Sequence, residues 1–427
     1  MAEEYPIRPI TGDEYASFRR VSAHAFASGP PSAAKTARSR RQFELERSLA
    51  AIDSSLPAGE QVVGTTGAYS LRMGVPGAVL PVAGVTAVSV LPSHQRRGVL
   101  RSLMQRQIAD IAASGEEPVA ALWASETPIY GRYGYGRASS YAHFRFERGD
   151  GALAPAAPAD PELRLRLAEP RAAAAELAKV YQAVQPGQPG FFARSADWWG
   201  RVLSDEPEDR DGFSPLRCLL AQDAAGVRGY ALYSTRAHFD ELSMLPDGRL
   251  VVREVLATDP AAGAALWLNL LTRDLVSTVT AELRSPEDPL LHQLLDPRRA
   301  RVSVSDGIWV RIIDLPAALT RRAYSAPVDA VLEVTDELLP GNAGRWRLRS
   351  AAAHPDGAPD AGATCRRTDE PAQLALDVRE LGAAYLGGTR LGQLAAAGLV
   401  TESQPGAARR LSSALAWDPA PWCPQIF

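Results

Sequence analysis

A strand, an amphipathic helix, then strands ending in a strand–loop–helix: this order of elements occurs on both sides of the Ala/Pro-rich stretch "GALAPAAPADPE" at 151–162. On the near side, "YPIRPIT" reads as a strand, and "GDEYASFRRVSAHAFA" as a helix with Tyr15, Phe18, Val21, Ala25 and Phe26 near one face. Residues 62–73 and 78–91 read as two strands joined by "GVPG". A helix from Gly98 carries Leu100, Leu103, Met104, Ile108 and Ile111 on one stripe and stops at Gly115, before the buried-strand run "PVAALWAS". On the far side, "ELRLRLAEP", "AAAAELAKVYQAV", "CLLAQD", "GYALYSTRAHFD" and "LVVREVLATDPAAGAALWLNLLTRD" give strand, helix, two strands, and strand–loop–helix again. A duplicated unit of this kind constrains the fold more than any composition does.

Beyond about residue 320, "AVLEVTD", "RWRLRS" and "LALDVRE" read as strands, with a polar loop at 355–363 and helical pieces at 378–385 and 390–397. This third part is a small α+β unit. A chain of 427 residues suits about two or three domains. The last residues, "WDPAPWCPQIF", are apolar and pinned by prolines, where chain ends are usually polar and frayed.

Composition removes several function classes. Hydrophobic residues make up 46% and charged residues 22%, and the net charge is −3, so no overall field draws nucleic acid or an anionic membrane. The longest apolar run, 82–91, is too short and too interrupted to span a bilayer, and the acidic start "MAEEYPIRPI" does not read as a signal peptide. A cytoplasmic location is the resulting expectation. Cys218, Cys365 and Cys423 and the six histidines are scattered without ligand spacing, so no metal site is expected. His94 and His143 read as surface or core residues, not bases.

The chemistry concentrates in "VSVLPSHQRRGVLRSLM" at 88–104. Cations at a helix start oppose the helix dipole at about 0.3–1 kcal/mol each, so either the turn is merely solvated or it holds an anion. Backbone N–H groups at a strand-to-helix turn form a concavity for phosphate oxygens. Gln95, Arg96 and Arg97 add donors, and Gly98 opens the backbone to close approach. No Walker loop is present, and "GRYGYG" (131–136) runs in reverse of the dinucleotide order with no helical pattern after it. The echo of this turn in the second half, "ATDPAAGAAL", keeps Gly263 but has no cations, which predicts that only the first copy binds.

The 88–104 stretch resembles the acetyl-CoA-binding motif of GCN5-related N-acetyltransferases, Q/R-x-x-G-x-G/A. Gln95 and Gly98 match and Leu100 replaces the usual small residue, as in the Eis (enhanced intracellular survival) subfamily. "PVAALWASETPIYGRYGYGRAS", "DGIWVRIIDLPAAL" and "ALDVRELGAAYLGGTRLGQLAAAG" resemble the same subfamily. The resemblance implies an α+β chain of tandem acetyltransferase domains with a sterol-carrier-protein-like domain. Expected boundaries are 1–150 (completed by a strand at 306–315), 151–305 for a degenerate copy, and 316–427. It also implies a homohexamer and acetyl-CoA as co-substrate.

By that resemblance, Val88, Ser89 and Val90 hold the pantetheine arm, and Gln95, Arg96, Arg97, Gly98 and Val99 the pyrophosphate. Tyr130 stands where the family keeps its general acid; a phenol of pKa about 10 is close enough to a thiol of about 8.5 to donate efficiently. The C-terminal carboxylate, here on Phe427, which matches the family's terminal phenylalanine, is the implied base; the alternative is a terminal strand docked in a groove without chemistry. Phe26, Thr86 and Trp123 match positions lining the amine site. Trp123 replaces a histidine of some relatives, Ser28 or its neighbour stands where relatives place an acid, and Ile426 replaces a penultimate acid. These departures imply an acceptor smaller, flatter or less cationic than an aminoglycoside. The implied activity is acetyl transfer to a primary amine (aminoglycoside-like, polyamine or lysine-type). The alternatives are a longer acyl-CoA, a natural-product amine, or a non-catalytic CoA- or lipid-binding protein.

Overall fold

The computed structural model describes residues 5–29, 32–352 and 362–427, so most of the polar loop expected at 355–363 lies outside the described residues. The chain forms two compact units. Its strands, in chain order, are β1 (Ile7–Pro9), β2 (Leu49–Ile52), β3 (Val62–Val75), β4 (Ala78–Val90), β5 (Val119–Trp123), β6 (Gly136–Arg137), β7 (Ser140–Glu147), β8 (Arg164–Ala168), β9 (Arg217–Asp223), β10 (Gly226–Arg236), β11 (Gly248–Ala257), β12 (Val276–Arg284), β13 (Ser303–Asp306), β14 (Ile308–Ile312), β15 (Val328–Thr335), β16 (Gly344–Ser350), β17 (Thr364–Arg367), β18 (Leu374–Asp377) and β19 (Val400–Glu402). The α-helices are α1 (Tyr15–Ala25), α2 (Ala33–Gln42), α3 (Val99–Ser114), α4 (Thr127–Tyr130), α5 (Ala174–Val184), α6 (Ala196–Val202), α7 (Pro260–Leu271), α8 (Leu290–Gln293), α9 (Leu315–Thr320), α10 (Val378–Ala384), α11 (Leu391–Ala396) and α12 (Ala407–Leu415).

One unit comprises residues 1–139, 308–418 and 426–427 and contains two sheets. The first runs β1-β2-β3-β4-β5-β14-β6, and the second β17-β16-β15-β18-β19. The apolar stripe of α3 buries Val99, Leu103, Met104, Ile108 and Ile111 on one face of the first sheet. Gln107, on the same stripe, is buried because it is satisfied: its Oε1 accepts from Thr66 Oγ1 (2.8 Å) and its Nε2 donates to Gly67 O (3.0 Å). On the opposite face α1 buries Tyr15, Phe18, Val21 and Ser22, with Phe18, Tyr15 and Tyr69 edge-on to Phe43. Ala25 and Phe26 do not join that face. The helix ends at Ala25, its cap residue Phe26 leaves the helical spacing, and both are exposed.

The second sheet is fastened to the first through backbone packing. Helix α10 lies on β14 and β6 so closely that a Cβ at Gly136 would sit 2.0 Å from Arg379 O and 2.4 Å from Ala383 N. Gly136→Ala is therefore expected to destabilise the fold by about 3 kcal/mol, the upper end for overpacking, because backbone and not a flexible side chain must yield. A denaturant midpoint unchanged from the parent would contradict this contact. Nearby, the fully buried Arg311 pairs with Asp336 (2.6 Å), whose carboxylate also accepts from Leu338 N, Leu339 N and Asn342 Nδ2. Arg322 is buried without a carboxylate partner among the described residues; it donates to carbonyls at the ends of α10 and α12, Tyr385 O and Leu415 O, where helix dipoles favour a cation.

The other unit comprises residues 140–307 and 419–425, with the sheet order β13-β7-β12-β11-β10-β9-β8. This unit begins at Ser140, where the sequence-based expectation was a boundary at 150. β7 pairs antiparallel with β12 and β13, while β14 pairs with β5 and β6. The first sheet is thus completed by β14 from beyond residue 307, while β7, expected within 1–150, belongs to the sheet of 140–307. Strand periodicity reports which residues face inward but not which strand lies alongside.

Candidate active site

The geometry that matters begins where β4 and β5 part. Their parallel ladder covers only Val82↔Val119 to Gly84↔Ala121. β4 then continues to Val90, while β5 keeps β14 alongside it through Trp123↔Ile308. A β-bulge causes the divergence: Thr65↔Ser89 and Gly67↔Thr86 are paired, so Ala87 and Val88 oppose Thr66 alone. Ala87 takes a φ of 51°, and Thr65 Oγ1 donates to its carbonyl at 2.8 Å. The backbone of 85–90 on the β5 side is left free of ladder pairing among the described residues. That includes Val88, Ser89 and Val90.

The loop after β4 is held from behind and open in front. Leu91 N donates to Val63 O (2.9 Å), and His94 is buried, with Nε2 3.0 Å from Asp53 Oδ2 and Nδ1 2.9 Å from Ser93 Oγ. Hydrogen bonds from Ser55 and His94 hold the Asp53 carboxyl down at about 2. Tyr5 packs edge-on to His94 (5.6 Å) and accepts from Arg97 Nη1 (3.1 Å). Gln95, Arg96, Arg97 and Gly98 are exposed. Arg96 (φ 63°) and Gly98 (φ 88°) both adopt the left-handed conformation, and among the described residues no side chain caps α3. The first-turn amides of a long helix thus face outward with two arginines beside them, which is an anion-binding arrangement.

The corresponding turn between β11 and α7 is closed. Asp259 Oδ1 accepts from Ala261 N (3.1 Å) and Ala262 N (3.0 Å), putting a carboxylate on the helix N-terminus. Arg228 holds that carboxylate in a two-pronged contact (2.8 and 2.9 Å) and also pairs with Asp160 and Asp223. The pair keeps the Asp259 carboxyl below its usual range. The Asp259-Pro260 dipeptide is the sequence signal for such a cap.

Strand alternation sorts the remaining residues. Ala83, Val85, Ala120 and Leu122 share a core cluster with Met104 and Ile108 of α3, and Tyr130, Tyr133 and Tyr135 belong to it. Gly84, Thr86, Ala121 and Trp123 therefore face the other side. There the Phe427 ring lies 3.3 Å from where a Gly84 Cβ would stand, beside Leu71, and Phe427 is buried. Phe26 follows α1, which packs on this same face, and is half exposed. Thr86, Trp123 and Phe427 thus share one face at the split, and Tyr130 belongs to the other. Burial pushes the Tyr130 hydroxyl above its ordinary pKa, partly offset by its hydrogen bond to Ser125, so it keeps its proton throughout the neutral range. Tyr135 is wholly buried and raised further, with no hydrogen-bond partner for its hydroxyl among the described residues.

Residues 6–138 and 190–312 match two families described as acetyltransferase (GNAT) domains, and residues 315–424 match a sterol carrier protein domain. An uncharacterized N-acetyltransferase of Streptomyces coelicolor is 41% identical over 98% of this chain and 99% of its own. The N-acetyltransferase Eis of Mycobacterium bovis is 35% identical over 84% of each chain. The chain belongs to the Eis family of N-acetyltransferases. Consistent with that, the crystal structure of Eis1 from Mycobacterium abscessus matches with a TM-score of 0.79 at 31% identity, over 99% of this chain and 100% of that one.

The Eis-family architecture of tandem acetyltransferase domains and a sterol-carrier-like domain is thus the architecture of this chain. Among its described residues no group of three or more His, Cys, Asp or Glu side chains could hold a metal, and no helix is long and apolar enough to cross a membrane. The three cysteines are buried thiols, each pushed up to about 12 by burial, which leaves them protonated and inert at neutral pH. The Asp53–His94–Tyr5 support behind the loop had no sequence signal, since Asp53 and His94 are 41 positions apart.

Proposed function

We propose that this Eis-family enzyme transfers the acetyl group of acetyl-CoA to a primary amine of a small molecule by direct attack. The observation that carries the reading is the β4–β5 split opening onto the uncapped start of α3, with Phe427 on one face and Tyr130 on the other. Backbone groups of Val88, Ser89 and Val90 would pair with the pantetheine arm, and Gln95 to Val99 would hold the pyrophosphate. The amine nitrogen attacks the thioester carbonyl carbon, and the Phe427 carboxylate accepts the nitrogen's proton directly or through one water. As the C–S bond breaks, the Tyr130 hydroxyl gives its proton to the sulfur, leaving an amide and free CoA thiol. Phe26, Thr86 and Trp123 would border the amine. An aminoglycoside-like, polyamine or lysine-type acceptor, homohexameric assembly and a cytoplasmic location belong to the same proposal.

The test is thiol release from acetyl-CoA in the presence of a panel of primary amines. Acetylated product in step with thiol release is the expected result; CoA binding with no release for any amine would favour a binding protein instead. Tyr130→Phe is expected to lower kcat by about a hundredfold with little change in the KM for acetyl-CoA, the usual scale for a general acid. An unchanged kcat would remove Tyr130 from the reaction.

A further inference from the structure

The 140–307 unit has kept the strand split of a cofactor-binding domain but has closed its anion turn, and its split is not empty. The parallel ladder of β11 and β12 ends at Val252↔Ala281. Beyond it stand Glu254 on β11 and Arg284 on β12, both buried. Arg284 Nη1 crosses to Val255 O at 2.9 Å, and its guanidinium lies 5.2 Å from the ring centre of Trp422. Glu254 makes a two-pronged pair with Arg194 (2.9 and 2.5 Å), and the side chains of both are all but inaccessible to solvent. Tyr230 hydroxyl also donates to Glu254, at 2.5 Å, and the Arg194 guanidinium lies 3.9 Å from the Tyr181 ring centre.

The third guanidinium nitrogen of Arg194, Nε, reaches the tail: it donates to Gln425 Oε1 at 2.7 Å. The tail is held at three more points. Gln188 Nε2 donates to Ala420 O (2.7 Å), Trp422 N donates to Pro189 O (3.2 Å), and the Trp422 ring packs edge-on against Phe191 at 4.9 Å. Separating the partners of a buried ion pair would strand an uncompensated charge, so Glu254 holds the Arg194 guanidinium in place. Only two peptide units separate Gln425 from Phe427, a reach of at most about 7 Å, so fixing Gln425 restricts where the chain end can be.

We propose that the degenerate acetyltransferase unit serves as a clamp for the C-terminal tail, with Arg194 and Gln425 as positioning residues for the terminal carboxylate of Phe427. This rests on the reading of that carboxylate as the base. Glu254 orients Arg194, and Arg194 orients Gln425; none of the three is itself a catalytic residue.

The experiment compares kcat and KM for acetyl-CoA in four chains: parent, Gln425→Ala, Gln425→Glu, and Gln425→Ala carrying one extra alanine after Phe427. Gln425→Ala leaves the Arg194–Glu254 pair intact and is expected to lower kcat about tenfold, with KM within about twofold. Gln425→Glu keeps an oxygen toward Arg194 and should recover most of kcat. In the extended chain, whose carboxylate is already displaced, Gln425→Ala should add no further loss beyond that of the extension alone. A parent-like kcat in Gln425→Ala, an equal loss in Gln425→Glu, or an additive loss in the extended chain would overturn the clamp. If the extension alone leaves kcat unchanged, the base assignment fails instead, so the two failures are distinguishable.

Discussion

One alanine added after Phe427 is expected to cut kcat by at least about a hundredfold while leaving acetyl-CoA affinity unchanged. The extension turns the Phe427 carboxylate into a neutral amide, which cannot accept a proton, and moves the new carboxylate about 3.8 Å along the chain. Displacements near 1 Å already cost about a hundredfold where reacting groups are positioned. The Phe427 ring packs over Gly84 and beside Leu71, on the face opposite the α3 core. The loop proposed to hold the cofactor rests on Asp53, His94 and Tyr5. The loss should therefore fall on kcat alone. Parent-like turnover in the extended chain, measured by thiol release, would sink the carboxylate as base.

Gly98→Asp is expected to raise the KM for acetyl-CoA by about a hundredfold, equivalent to about 2.7 kcal/mol of lost binding. The chain itself supplies the precedent. At α7 an aspartate caps the first-turn amides, and Arg228 neutralises it; at α3 the cap position is Gly98, with no side-chain acceptor. An aspartate at 98 would bring a negative charge to the amides that a pyrophosphate needs. Aspartate tolerates the left-handed backbone better than most residues, and open space surrounds the Gly98 Cβ position, so folding should survive. A Gly98→Asp enzyme with an unchanged KM would mean that the loop does not carry the phosphates.

What the sequence made legible was local. The β3–β4 hairpin, the α3 stripe and the glycine at its start follow from periodicity and from one residue's conformational freedom, all within about 50 positions. The sterol-carrier-like part was legible through family resemblance, but α12 was missed. Its short apolar face, Ala407, Ala408, Leu411, Ala414 and Leu415, is mostly alanine and follows a Pro-Gly pair that reads as loop. The placement of β7 and β14 was half expected: the return of a strand near 306–315 came from resemblance, but the departure of 140–147 did not. Partner choice depends on contacts between segments over a hundred residues apart, which no window of sequence contains. The Arg194–Glu254–Gln425 network was invisible for the same reason, and buried ionic groups look like surface residues in a chain as arginine-rich as this one.

If only the first of the two acetyltransferase domains engages acetyl-CoA, through the uncapped turn at Gly98, calorimetric titration of the parent chain with acetyl-CoA should give one site per chain, reduced about a hundredfold in affinity by Gly98→Asp. Two sites per chain, or one site indifferent to Gly98→Asp, would rule that out.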